Sequence, residues 1–120
     1  MNLKIGPEHI RFRITEREFD SLVEHGALSN GTSFGESTNC YYGIRTHQAA
    51  KNRDGQSLAL ATHANEGTIR FILTVFADAI AQLKTGSVGK DGVTDHVAFE
   101  SGDMLTIGLE IDIHSKKRTD

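Results

Sequence analysis

The sequence predicts a single α+β domain: a two-layer or barrel-like, largely antiparallel sheet of about eight strands with two helices. Three observations carry this expectation. Apolar residues recur at every second position in several segments, Ile10-Arg11-Phe12-Arg13-Ile14 being the clearest. Two segments read as helices that a threonine opens and a glycine closes, Thr15 to Gly26 and Thr74 to Gly86. Finally, Ile10-Arg11-Phe12-Arg13-Ile14-Thr15 aligns with Ile69-Arg70-Phe71-Ile72-Leu73-Thr74, and Tyr42-Gly43-Ile44 with Ile107-Gly108-Leu109. Strand, turn and helix signals follow in the same order around both, which predicts an internal β-β-α-β-β duplication. The halves fall at about residues 1–48 and 56–115 of one domain, 1–120. Each half alone buries too little surface to be stable, so the two are expected to share one core related by a pseudo-twofold axis.

Taken in order, Leu3-Lys4-Ile5 and Ile10 to Ile14 flank Gly6-Pro7 and read as a hairpin with Ile10, Phe12 and Ile14 buried. Thr15-Glu16-Arg17-Glu18 matches a capping box, and Ile14 with Phe19 occupies the staple positions. Phe19, Leu22 and Val23 then share one stripe of a helix over about Glu16 to His25. Residues Ser29 to Asn39 carry loop composition, with Thr32-Ser33-Phe34 as a short strand at most, and Cys40 to His47 alternates as a half-buried strand. Gln48 to Gln56 reads as the linker between halves. Ser57 to His63 and Thr68 to Leu73 form a second hairpin around Asn65-Glu66-Gly67. The second helix is expected from Val75 to Lys84 with Thr74 as its N-cap. Val93 to Phe99 and Met104 to His114 close the chain as a third hairpin. Beyond those already named, Ile69, Phe71, Ile80, Leu83, Leu105, Ile107 and Leu109 are expected in the core.

Composition narrows the function classes. Thirteen basic residues against 16 acidic give a net charge of −3, so no broad basic face exists for duplex nucleic acid. A single cysteine, Cys40, excludes an intramolecular disulfide, and the opening Met1 to His9 holds no apolar stretch of signal-peptide or membrane-span length. A cytoplasmic protein is expected, without membrane partners.

The opening Met1 to Glu18, with its Ile-Arg-Phe-Arg-Ile-Thr-x-x-Glu core, resembles a family of small bacterial proteins of unknown function that begin with this strand and capped helix. The ending Gly108-Leu109-Glu110-Ile111-Asp112-Ile113 is similar to that family's terminal strand, usually written Glu-Lys-Asp-Phe; here Ile111 stands for the lysine and Ile113 for the aromatic. The resemblance covers about a third of the chain. It implies the fold and adds no chemistry.

No reaction is legible. Glu110, Asp112 and His114 share one face of the last strand and are the candidate metal ligands, which makes a metal-dependent enzyme the alternative reading. Arg11 and Arg13 are the candidate ligand-binding residues, able to grip a small anion through their guanidinium forks or else to pair with Glu110 and Asp112. The six histidines lack metal spacing, and Cys40 and His47 fall on opposite faces of their strand. Gly86 to Gly92 follows a helix and lacks the residues of a phosphate loop. The basic stretch Lys116-Lys117-Arg118 and the Gly31 to Asn39 loop offer contact surfaces of ordinary kind. The expectation is a binding or interaction module for a protein or a small anionic ligand, with no catalytic residue and no cofactor. Spare apolar residues on the second helix and open sheet edges point to a homodimer.

Overall fold

A computed structural model describes residues 1–86, 88–89 and 91–112. The element order is β1 (Asn2–Gly6), β2 (His9–Thr15), α1 (Glu16–His25), β3 (Ala27–Ser33), β4 (Asn39–His47), β5 (Leu58–Asn65), β6 (Thr68–Phe76), α2 (Ala77–Thr85), β7 (Val93–Ala98) and β8 (Met104–Asp112). The succession β-β-α-β-β thus runs twice. The strands form two four-stranded sheets, β1-β2-β8-β7 (sheet A) and β3-β4-β6-β5 (sheet B), and not a closed barrel. Each sheet takes one hairpin from either half. The outer pairs are antiparallel, while the central pairs, β2 with β8 and β4 with β6, are parallel. Parallel neighbours need a long crossover: β4 reaches β6 through the linker and β5, and β2 reaches β8 through all the elements between them.

One core lies between the sheets. Sheet A contributes Ile10, Phe12, Ile14, Val93, Ile107 and Leu109; sheet B contributes Ile44, Leu58, Leu73 and Val75; the helices add Phe19, Leu22, Ala79 and Leu83. Every one of these strand residues follows the period-two pattern that sends alternate side chains inward. At the corner where β7 meets β5, Asp95 Oδ2 accepts the backbone N–H groups of Ser57 (2.8 Å) and Leu58 (2.9 Å), and Gln56 Nε2 donates to the His96 carbonyl. The first half has its own fastening at α1. Thr15 Oγ1 accepts from Glu18 N at 3.1 Å while Glu18 Oε1 accepts from Thr15 N at 2.9 Å, completing the capping box. Gly26 ends the helix in the left-handed conformation at φ 83°.

Four expectations need correction. The second helix begins two residues later than its threonine signal implied: Phe76 is the N-cap, without a side-chain cap bond, and Thr74 lies inside β6. Val75 and Phe76 are buried, and the strand that buries them outcompetes an isolated cap. The repeat alignment shifts with it. Phe12 faces Leu109 across the β2/β8 ladder and Leu73 faces Ile44 across β6/β4, so Phe12 corresponds to Leu73 rather than to Phe71. A slip of two preserves the inward face, which is why the sequence match survives it. The Ser29 to Asn39 segment contributes most of an edge strand, since an edge position tolerates small polar residues on both faces. Ile69 is 38% exposed, because it lies next to the β5–β6 turn, where β6 is still open to solvent. Phe71, Ile80 and Leu105 pack only partly against the core.

Burial by itself pushes the Glu18 carboxyl up, but hydrogen bonds from the Met1 ammonium (2.8 Å) and from Thr15, with the ammonium charge, outweigh it and hold the group below its ordinary value of 4.5. Because the folded pKa is depressed, this stabilisation is complete above pH 4.5 and fades as pH falls through the folded value. Thr15→Ala is expected to lower stability by about 1 kcal/mol in urea denaturation at pH 7. Glu18→Gln is expected to flatten the acid limb of the stability profile below pH 4.5.

Candidate functional site

The outward face of sheet A gathers the charged residues. On β2 the core-facing Ile10, Phe12 and Ile14 leave Arg11 and Arg13 pointing the other way. Register then sets their neighbours: Lys4 lies opposite Arg11 on β1, while Gly108 and Glu110 lie beside Arg11 and Arg13 on β8. Arg13 Nη2 contacts Asp112 at 3.2 Å and Arg13 Nε stands 3.9 Å from Glu110, so both carboxylates meet the guanidinium that their spacing made available. Lys4 Nζ approaches Glu110 from the other side, also at 3.9 Å.

Arg11 behaves differently from the expected cross-strand pairing with Glu110 or Asp112. Its neighbour on β8 is Gly108, where an added Cβ would lie 3.5 Å from Arg11 Cγ, so the arginine stem rests on bare backbone. The guanidinium reaches Asp91 instead, Nη1 to Oδ1 at 3.4 Å. Gly92 makes this contact possible. At φ 71°, with its Cα so close to β8 that a Cβ would collide with the Leu109 carbonyl, it holds the loop against the strand and presents Asp91. Arg11 Nε is shut off from solvent and has no acceptor among the described residues.

These residues line a groove of about 930 Å³ between sheet A, the end of α2 and the loop that follows it, with Lys4, Arg11, Arg13, Lys84, Asp91 and Glu110 among its walls. Two smaller recesses flank the β5–β6 turn on sheet B. One, of about 390 Å³, is mainly apolar and includes Phe34, Cys40 and Ile69; the other, of about 270 Å³, includes His63, Glu66 and Arg70. Phe34, from the loop expected to offer a contact surface, is 67% exposed.

Of the proposed metal ligands, Glu110 and Asp112 face Arg13, and His114 lies outside the described residues, as do Lys116, Lys117 and Arg118. Among the described residues no three His, Cys, Asp or Glu side chains converge as a metal would require. No described helix is long and apolar enough to cross a membrane. Sequence reasoning missed Lys4, Lys84 and Asp91. Hairpin register was the available signal for Lys4, whereas a loop and a helix end gave none for the other two.

The same strand-pair position in sheet B carries no carboxylate: Thr74 and Arg45 occupy the places of Arg13 and Glu110, and Arg45 Nε donates to Thr74 Oγ1 at 3.0 Å. Only one of the two equivalent positions therefore carries a carboxylate facing cations. Compared with protein-family models, curated proteins and solved structures, the chain matches none.

Arg13 offsets a nearly buried carboxylate, whereas Arg11 holds an unmet donor, so the two arginines are expected to differ in stability. Arg13→Met should lower the unfolding free energy by about 1–2 kcal/mol, less than loss of a fully buried partner because Arg13 is partly exposed. Arg11→Met, which keeps the stem on Gly108, should leave the urea midpoint unchanged or raise it.

Proposed function

We propose that the protein is a binding module whose groove on sheet A takes a small anionic ligand, with Arg11 as its anchor. The observation that carries this reading is the state of Arg11. A buried donor without an acceptor costs about 1–3 kcal/mol, and a small turn of the guanidinium would present Nε and an Nη together to a carboxylate or phosphate. Asp91, at 3.4 Å on one Nη, is a long contact that an entering anion would replace. Lys4 and Lys84 stand in the same groove and add positive potential to it. Arg13 supports the site from beside it, since its own fork is engaged by Asp112 and faces Glu110.

A protein partner is the second reading. It rests on Phe34, which stays exposed although the turn bearing it is fixed by Phe34 N donating to the Thr38 carbonyl at 2.7 Å. An ordered, exposed aromatic is the kind of residue that anchors protein interfaces. Self-association through this side of sheet B belongs to the same reading.

Titration calorimetry with inorganic phosphate and glutarate tests the first reading. Saturable binding is expected for at least one of them, weakened about tenfold or more by Arg11→Ala, a loss of about 1.4 kcal/mol or more. Arg70→Ala, on sheet B, should leave it unchanged. Absence of saturable binding, or binding indifferent to Arg11→Ala, would remove the groove from the proposal and leave the Phe34 surface as the remaining candidate.

A further inference from the structure

Resting on the anion-binding reading of the groove, we infer that its ligand is a small zwitterion: an anionic group held by Arg11 and a primary ammonium held by Glu110. Glu110 is 8% exposed and lines the groove. A carboxylate in such a place offers roughly four lone-pair sites and is ordinarily filled by hydrogen bonds. This one makes none to the described residues, and its two cationic neighbours, Lys4 Nζ and Arg13 Nε, both stand at 3.9 Å, beyond hydrogen-bond reach.

The fold does complete its structural carboxylates. Asp95 accepts two backbone N–H groups below 3 Å, and Glu18 accepts from the Thr15 backbone and the Met1 ammonium. Arg13 meets Asp112 more closely than it meets Glu110, so Glu110 is not required to hold that arginine. The groove is consequently walled by a carboxylate on β8 that makes no hydrogen bond to the described residues and, on the adjacent β2, by an arginine whose Nε has no acceptor among them. A dianion would satisfy Arg11 but would bring like charge against Glu110, a cost that a ligand ammonium converts into a charge-assisted hydrogen bond.

Matched probes that differ only by the ammonium separate this inference from the reading it rests on. Phosphoethanolamine against ethyl phosphate, and β-alanine against propionate, are titrated calorimetrically into the full chain at pH 7. In each pair that binds, the zwitterion is expected to bind about tenfold tighter, a preference of about 1.4 kcal/mol. Glu110→Gln should bring the members of each pair to the same affinity, and Glu110→Asp should retain part of the preference, with thermal unfolding confirming that both variants fold. Equal binding within each pair, or a preference that survives Glu110→Gln, overturns the zwitterion inference while the anion site stands. Binding of no probe overturns both.

Discussion

The two parallel strand pairs, β2 with β8 and β4 with β6, are the constraint on which the rest of this structure depends. Among the described residues they are the only ladders that join the first half of the chain to the second; every other ladder there is a hairpin within one half. Without them each half would hold two separate hairpins with one apolar face apiece, and isolated hairpins are marginal in water. The helices follow from the same arrangement. After β2 in sheet A, α1 carries the chain to β3 in sheet B, and α2 returns it from β6 to β7. Their buried residues, Phe19 and Leu22 from one and Ala79 and Leu83 from the other, fill the space between the sheets at those crossings.

The candidate site is a product of one of those pairs. Parallel register puts Arg13 beside Glu110 and Arg11 beside Gly108, and the equivalent register in sheet B puts Thr74 beside Arg45 and Ile72 beside Gly43. The backbone layout is common to both. What differs is the side chains: a charge-assisted hydrogen bond from Arg45 to Thr74 closes one position, while the other sets the nearly buried Glu110 beside Arg13, with Arg11 two residues away opposite Gly108. Stability alone accounts for the first arrangement. The second leaves Arg11 Nε without an acceptor among the described residues at the wall of a groove, where a buried donor is ordinarily paired.

Much of the fold was legible because it is written in local signals. The capping box at Thr15 to Glu18, the left-handed Gly26 and the alternation of Ile10, Phe12 and Ile14 require no knowledge of distant residues. The misplaced start of α2 shows the limit. Thr74 is a good N-cap in isolation, but the burial of Val75 and Phe76 extends β6 past it, and burial is a tertiary property. The exchange of hairpins between sheets was likewise invisible, because alternation tells which face is buried and not which strand lies next door. For the site, β2 and β8 each showed their charged face, and Arg13 meets Asp112 and Glu110 as alternation allowed. The partner of Arg11 was not legible, since it depends on Gly92 bringing Asp91 from a loop against β8.

Separating the halves measures the central constraint directly. Fragments covering residues 1–50 and 51–120 divide the chain in the linker between β4 and β5 and cut both parallel ladders. Followed by circular dichroism, each fragment alone should show no cooperative thermal transition, and an equimolar mixture should recover one with the sheet and helix signal of the intact chain. A cooperative transition in either fragment alone would contradict the account, because it would mean that one half can complete a core without the strands of the other.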